Sequence, residues 1–445
     1  MAVIRYGNHS VIGFGSMGKP QIYFIETSGI KDWRTEKDSD GRIILYEYLG
    51  DYSASEILNV PNKYGFTTIN DYRLGWTTTA SNTPFYNNPN VASVDLKNVP
   101  FKNNSMCNAF YNCQNLTSVN GINKNVTNMA NTFSNCSNLN QNIQIPNSVT
   151  NMYSTFSSCQ NLNQNIQIPN SVTNMSYTFF SCDNLNQNIQ IPNSVKDMDS
   201  TFSSCYNFNQ NIQIPSSVTS MSDTFSSCYN FNQNIQIPNS VTNMYRTFSY
   251  CRNLNQNIQI PNSVTGMFYT FYSCYNLNQS IQIPNSVTDM PYTFSGCRNL
   301  NQNIQIPSSV TNMYSTFSYC RNLNQNIQIP NSVTNMSNTF YSCYNLNQSI
   351  QIPNSVTDMS YTFYGCLNLS SRINILSQNV TDASSCFSEG PLPKDVYIPY
   401  TYDNGAYTKT YNAFKSAGYF VGVEGVTMHD LNATSGDTDH PVVAD

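Results

Sequence analysis

The chain of 445 residues is weakly charged, with 20 lysines and arginines against 25 aspartates and glutamates and a formal net charge of −5 at pH 7. Residues 126–370 contain only 11 charged side chains and no basic stripe that would neutralise phosphates, so we expect no nucleic-acid binding. There is no run of 18 apolar residues, and residues 1–29 lack an apolar core behind basic residues. We therefore expect neither membrane insertion nor a secretory signal peptide.

The first predicted elements are strands that precede the regular part of the chain. Residues 21–26, 43–49 and 55–61 are short apolar runs typical of strands. We assign residues 1–40 to a separate N-terminal module for attachment or oligomerisation. Residues 41–92 are predicted to form a cap that seals the first coil of the array that follows.

A 23-residue repeat fills residues 93–390, and one cysteine marks each unit. A fixed period of 20–50 residues is typical of a solenoid, in which each coil has an apolar face that only its neighbours cover. The cysteines that recur at this step are Cys113, Cys136, Cys159, Cys182, Cys205, Cys228, Cys251, Cys274, Cys297, Cys320, Cys343 and Cys366.

These ladder cysteines are predicted to be free, buried thiols. Stacked coils place equivalent residues about 4.8 Å apart, whereas the Cβ atoms of a disulfide lie about 3.8 Å apart and face each other. A thiol that acts as a small apolar side chain explains one cysteine per coil more simply. Cys107 and Cys386 lie off this series and are the only candidates for another role.

Each coil is predicted to pair a short strand with a short helix, which makes the array an α/β repeat. Residues 166–168, Ile-Gln-Ile, alternate as in a strand with one buried face. Met175, Thr178, Phe179 and Cys182 then fall at i, i+3, i+4 and i+7, one face of a helix of about two turns. Stacking of the coils would join the strands into a parallel sheet.

Residues at both ends of this predicted helix have suitable chemistry. Thr173 is placed to cap its start, and Asn184, two residues after the cysteine, tolerates the left-handed conformation that closes a helix. In the following coil, the side chains expected to point inward are those of Leu185, Ile189, Ile191, Val195, Met198, Phe202 and Cys205.

The array is predicted to end in a second cap. Residues 396–399 and 420–428 are typical of strands, and residues 407–417 of a helix between them. We assign residues 391–430 to this strand–helix–strand cap and residues 431–445 to a polar tail.

The repeat phrase resembles a known family. Phe208-Asn-Gln-Asn-Ile212, followed by Ser217-Val-Thr-x-Met221-x3-Phe225-x2-Cys228, is similar to the BspA-type leucine-rich repeats of bacterial surface proteins and to the related Treponema-type repeat. The resemblance covers residues 93–390. It implies a right-handed leucine-rich-repeat solenoid used for adhesion or receptor binding. Related arrays also occur in phage virion proteins, which need no export signal.

Two surfaces are candidates for binding. One is the ladder of glutamines from Gln144 to Gln351, which either displays a flat face to a repetitive ligand or holds register through amide–amide hydrogen bonds; we favour the second interpretation. The other is the outer face, where Tyr and Arg replace each other from coil to coil. This is either an adaptable recognition surface or variation at solvated positions. Its candidate residues are Tyr206, Tyr229, Arg252, Tyr275, Arg298, Arg321, Tyr344, Tyr250 and Tyr319.

Catalysis and cofactor binding have little support in the sequence. All three histidines lie outside the array, and no metal-ligand spacing is present. The Gly13-x-Gly15-x2-Gly18 string lacks the βαβ context of a dinucleotide site and is interpreted as a turn. We expect no enzyme activity, no metal and no cofactor.

The sequence therefore predicts a non-enzymatic binding protein. The main hypothesis is a phage virion component (tail, fibre or decoration) that binds a host receptor, glycan or protein, and contacts other virion proteins through residues 1–40. The first alternative is a BspA-type adhesin at a bacterial cell surface, and the second is an intracellular scaffold for protein partners. Assembly into a homo-oligomer is left open.

Overall fold

Our computed structural model places fourteen segments of the chain. They are residues 4–6, 9–11, 24–26, 33–37, 43–48, 57–59, 72–74, 85–89, 91–96, 101–390, 395–399, 402–403, 406–418 and 427–430. The Gly13–Gly18 string, the tail 431–445 and most of segments 1–40 and 41–92 lie outside these residues. Contacts divide the chain into two units, Met1–Ser217 and Val218–Asp445.

The first unit begins with strands in three small sheets. One sheet is antiparallel, one contains an antiparallel pair and a parallel pair of strands, and one is parallel. Predicted strands 21–26, 43–49 and 55–61 each contain a shorter observed strand. The sheets comprise β1 (Ile4–Tyr6), β2 (His9–Val11) and β3 (Phe24–Glu26); β4 (Trp33–Lys37), β5 (Ile43–Tyr48) and β7 (Tyr72–Leu74); and β6 (Ile57–Asn59), β8 (Ser93–Asp95) and β9 (Ser118–Asn120).

The second unit ends in a parallel sheet and one helix. The helix, α1 (Lys409–Ser416), begins at Thr408, whose hydroxyl accepts a hydrogen bond of 3.1 Å from the Tyr411 N–H. In the described segments no helix has the length and apolar character needed to cross a membrane. The strands are β10 (Ile350–Ile352), β11 (Ile373–Ile375), β12 (Asp395–Ile398) and β15 (Thr427–Asp430) in the sheet, and β13 (Tyr402–Asp403) and β14 (Ala406–Tyr407) in a hairpin.

The apolar side chains of each coil are buried, as the 23-residue pattern predicts. Of the seven predicted inward-facing side chains from Leu185 to Cys205, only Ile191 is partly exposed. One phenylalanine per coil stacks on the next, with centroids 5.7 Å apart for Phe156 and Phe179. The dry interior of each unit is therefore formed by the side chains at the leucine (or phenylalanine), isoleucine, valine, methionine, phenylalanine and cysteine positions of the repeat.

The helix predicted in each coil is not formed. Between Met175 and Cys182 the chain makes successive turns, and φ is 57° at Tyr177 and 53° at Ser181. A right-handed helix needs φ near −63°, so these two left-handed residues exclude it. The same two positions, five residues and one residue before the cysteine, have positive φ in every coil from Cys113 to Cys366.

Hydrogen bonds between coils explain why turns replace the helix. Alternate residues donate forward: the Tyr177 N–H bonds the Asp199 carbonyl of the next coil at 2.9 Å. The residues between them donate backward within the coil, as the Thr178 N–H does to the Met175 carbonyl at 3.0 Å. Between Met175 and Cys182 every backbone N–H donates a hydrogen bond. Half of these bonds join neighbouring coils, so they are not available to form a helix.

The residues predicted at the helix ends also connect coils. The Thr173 N–H donates to the Thr150 carbonyl at 2.9 Å, one coil earlier, and caps no helix. Asn184 has no positive φ. Its Nδ2 donates to Oδ1 of Asn161, also one coil earlier, at 3.4 Å.

The strand predicted in each coil pairs regularly in only part of the array. Ile350–Ile352 and Ile373–Ile375 pair in parallel, but the equivalent segment of the other coils from residue 126 to residue 345 has no strand pairing. There the Ile166 N–H, for example, bonds the Gln164 carbonyl two residues earlier at 3.0 Å, the pattern of a γ-turn. In both units the 23-residue repeats form coils in which turns replace most of the regular structure.

Candidate binding surface

The residue after each ladder cysteine lies at the surface because the cysteine side chain points inward. In the second unit, the six residues that follow Cys228 to Cys343 are tyrosines or arginines, and we call them the post-cysteine row: Tyr229, Arg252, Tyr275, Arg298, Arg321 and Tyr344. The residue after Cys366 is an exposed leucine, Leu367, and is not included in the row. The backbone of the row is fixed from coil to coil, since the carbonyls of Arg252 and Tyr275 accept the N–H groups of Asn276 and Asn299 at 3.0 Å. The row is therefore held in register by the same bonds that stack the coils.

Arginine and tyrosine side chains stack along this row. The Arg252 guanidinium carbon lies 4.1 Å from the Tyr229 ring centroid and 5.4 Å from that of Tyr275. The Arg298 guanidinium carbon lies 4.0 Å from the Tyr275 centroid, and that of Arg321 lies 5.3 Å from the Tyr344 centroid. Cation–π contacts thus fix the arginines, and the Tyr275 ring contacts two of them.

Among the residues that the structure describes, the guanidinium groups of the row have no anionic partner. Within the described segments, those of Arg252, Arg298 and Arg321 form neither an ion pair nor a hydrogen bond, and all three residues are exposed. Arg246, outside the row, is different because it lies 3.8 Å from a carboxylate oxygen of Asp223. The row therefore presents positive charge with unused N–H donors to the solvent.

A second aromatic group lies on the turns before the cysteines. Tyr269 stacks on Tyr292 with centroids 4.5 Å apart, and Tyr250 meets Tyr272 edge-on at 5.2 Å. Burial and a hydrogen bond with Tyr314 raise the pKa of Tyr292. These rings pack mainly on one another, so they stabilise the turns as well as covering the surface.

The candidate binding residues predicted from the sequence lie at three locations. Tyr206 lies in the first unit and is 38% exposed. The six residues of the post-cysteine row are brought together in the second unit. Tyr250 and Tyr319 are off the row: they contact Tyr272 and Tyr341, each with centroids 5.2 Å apart.

Asparagines, for which the sequence predicted only a role at a helix end, hold the coils in register. Each Asn161-type side chain donates to its equivalent one coil earlier, as Asn161 does to Asn138 at 3.2 Å. In a second ladder, Asn140 Oδ1 accepts the Asn163 N–H at 2.9 Å. Gln167 does not bond other glutamines; it donates to Asn165 of its own coil at 3.1 Å. The exact 23-residue recurrence of both asparagines was the available signal.

The two asparagine ladders of the first unit border a polar groove. Its volume is about 660 Å³, and its lining residues are Asn138, Asn140, Asn161, Asn163, Asn184, Asn186 and Asn207. The Oδ1 atoms of Asn140, Asn163 and Asn186 each accept the N–H of the equivalent asparagine in the next coil, so these acceptors are already used within the ladder.

The described residues offer no centre for metal or nucleophilic chemistry. They include no group of three or more His, Cys, Asp or Glu side chains that could hold a metal ion. All 14 cysteines are free, and burial raises the pKa of Cys113 and Cys366 to about 12, so these thiols stay protonated.

Comparisons with known proteins agree with this architecture. A family model described as "Mycoplasma protein of unknown function, DUF285" matches residues 104–214, 169–259, 192–283, 214–306, 242–352 and 288–401. No curated protein matches the chain.

Solved structures of bacterial repeat proteins are also similar. A leucine rich cell surface protein from Faecalibacterium prausnitzii A2-165 has a TM-score of 0.50 and 21% identity, over 84% of this chain and 95% of that one. A leucine-rich repeat protein from Bacteroides ovatus has a TM-score of 0.49 and 21% identity, over 78% and 93% of the two chains. The first similarity shows that the chain has the leucine-rich-repeat fold.

Proposed function

This chain belongs to the protein family described as "Mycoplasma protein of unknown function, DUF285", and we propose that it is a binding protein of a bacterial cell surface. It is a non-enzymatic leucine-rich-repeat protein. The cell-surface location is supported by the Faecalibacterium protein of the same fold, which is named a cell surface protein. Of the hypotheses drawn from the sequence, the surface adhesin is the one that the name of the Faecalibacterium protein supports, and it is the one we adopt.

The observation that carries the proposal is the post-cysteine row. Six side chains on successive coils, those of three exposed arginines and three half-buried tyrosines, lie at the surface after the ladder cysteines. Tyrosine and arginine are the residues that dominate binding energy in protein recognition. Stacking has already restricted their conformations, so binding would cost little further side-chain entropy.

Adhesion of protein-coated beads to epithelial cells tests this function. A variant with serine at Tyr229, Arg252, Tyr275 and Arg298 should lose adhesion and keep its melting temperature within a few degrees, because these side chains lie outside the core. A matched control places serine at four exposed glutamines of the same unit, Gln236, Gln259, Gln282 and Gln305, and should adhere like the unchanged protein. Undiminished adhesion of the first variant would refute the assignment of this face.

A further inference from the structure

We propose that the post-cysteine row binds a linear acidic polysaccharide, whose carboxylate or sulfate groups the three row arginines recognise. This inference rests on the proposed function, since it names the ligand class of the same face. It also gives the orientation of the ligand: the polymer would lie along the direction in which the coils stack.

The charge pattern of the row points to an anion. Arg252, Arg298 and Arg321 are exposed and lack acidic partners within the described segments, and the remaining row positions are tyrosines. Guanidinium groups bind carboxylates and sulfate-like oxyanions through two parallel N–H···O bonds. A row with several such forks and no carboxylate of its own is complementary to a ligand that carries several negative charges.

The stacking of the arginine and tyrosine side chains limits the ways in which an anion can contact the arginines. Because Arg252 and Arg298 both contact the Tyr275 ring, with guanidinium carbons 5.4 Å and 4.0 Å from its centroid, a flat ring cannot stack freely there. The ligand instead meets the outward edges of the guanidinium groups and the tyrosine rings. Stacking of nucleic-acid bases needs open aromatic faces, so this arrangement disfavours single-stranded nucleic acid.

The spacing of the arginines fits a polymer of sugar acids. Arg298 and Arg321 are one coil apart and Arg252 and Arg298 two coils apart, which corresponds to about 5 Å and about 10 Å at the usual separation of stacked strands. One pyranose unit of an extended polysaccharide is about as long as one coil step. Acidic groups on every sugar would therefore coincide with all three arginines, whereas acidic groups on every second sugar would coincide with Arg252 and Arg298.

The experiment measures binding of five probes to the 445-residue chain by isothermal titration calorimetry, with polyglutamate and single-stranded DNA as the polyanions that are not polysaccharides. Heparin and polygalacturonate are the acidic polysaccharides, and dextran is the neutral one. We expect both acidic probes to bind, with affinity falling as salt rises, and dextran not to bind. Changing Arg252, Arg298 and Arg321 together to glutamine should weaken acidic binding by at least about tenfold, since several charge-assisted hydrogen bonds are lost.

Two further variants test whether binding depends on the guanidinium geometry and on the position of the arginines in the row, or on positive charge alone. The same three arginines changed to lysine keep the charge but lose the two-pronged contact, so affinity should fall to a value between those of the unchanged protein and the glutamine variant. Arg246→Gln removes one positive charge in the same unit, outside the row and beside Asp223. It should change affinity less than about twofold, because an exposed charge off the row adds little.

The outcomes distinguish this inference from the proposed function. The inference is overturned if neither acidic probe binds, if the glutamine variant binds equally well, or if polyglutamate or single-stranded DNA binds more tightly than the polysaccharides. If acidic probes fail while bead adhesion still depends on the row, the row binds another ligand and the proposed function stands. If adhesion is also independent of the row, both are wrong.

Discussion

The thiol of Cys182 donates a hydrogen bond of 3.0 Å to the carbonyl oxygen of Phe156, which lies one coil earlier in the chain. That oxygen also accepts the Cys159 N–H at 3.0 Å. Equivalent thiol–carbonyl bonds recur in both units, as from Cys136 to Phe110 at 3.1 Å. Each ladder cysteine therefore fills the interior and also satisfies a buried carbonyl of its neighbouring coil.

Replacing one ladder cysteine tests this double role. Cys297 donates to the Phe271 carbonyl at 3.1 Å. Cys297→Ala should lower the free energy of unfolding by about 1–2 kcal/mol, since it removes buried volume and a weak donor. Cys297→Ser keeps a donor and should be no less stable than the alanine variant, as judged by urea midpoints. If serine is clearly worse, the thiol acts only as an apolar side chain.

Alkaline pH should destabilise the protein through the same thiols. Burial raises the pKa of Cys113 and of Cys366 to about 12, whereas an unfolded cysteine titrates near 8.5. Because the folded pKa is the higher one, the stabilisation is complete below about pH 8.5 and is lost as the pH rises towards 12.

Urea unfolding at a series of pH values measures this effect. The midpoint should stay constant from about pH 6 to pH 8 and fall progressively above about pH 8.5. A midpoint that is unchanged at pH 10 would show that the thiols do not titrate differently in the folded and unfolded chains.

Thiol labelling should distinguish Cys107 from the ladder. Cys107 is half-buried, whereas the other 13 cysteines are buried. Maleimide at neutral pH should therefore modify one thiol per native chain and all 14 in urea. The Cys107→Ser variant is the matched control and should show no native labelling; rapid labelling of further thiols would contradict the buried ladder.

Much of the interior was predictable from the sequence. The positions of Leu185, Val195 and Phe202 follow from periodicity, because an apolar side chain must leave water whatever the backbone does between such positions. The turns were not predictable in the same way. Tyr177 and Ser181 have positive φ, a conformation uncommon for either residue type, and bonds to the next coil enforce it.

The candidate surface was predictable only in part. The alternation of Tyr229, Arg252, Tyr275 and Arg298 at 23-residue steps is visible in the sequence, and stacking of the coils places them side by side. What the sequence did not show is that arginines contact the tyrosine rings. That packing covers tyrosine ring faces, so a ligand of this surface would contact the edges of the guanidinium groups.

The final prediction concerns the two asparagine ladders, because the asparagine side chain donates and accepts in one ladder and accepts in the other. Asn299 both accepts from Asn322 at 3.3 Å and donates through Nδ2 to Asn276 at 3.2 Å. Asn278 acts through Oδ1, which accepts the Asn301 N–H at 2.9 Å. An aspartate keeps both oxygens but has no Nδ2 donor.

Asn299→Asp should therefore lower the urea midpoint measurably at neutral pH, since it loses one bond and sets a carboxylate against an amide oxygen. Asn278→Asp should change the midpoint little, because its acceptor remains and becomes charged. At about pH 3 both carboxyl groups are largely protonated, and the two variants should converge. Equal destabilisation at neutral pH would show that the ladders do not differ in their use of the amide donor.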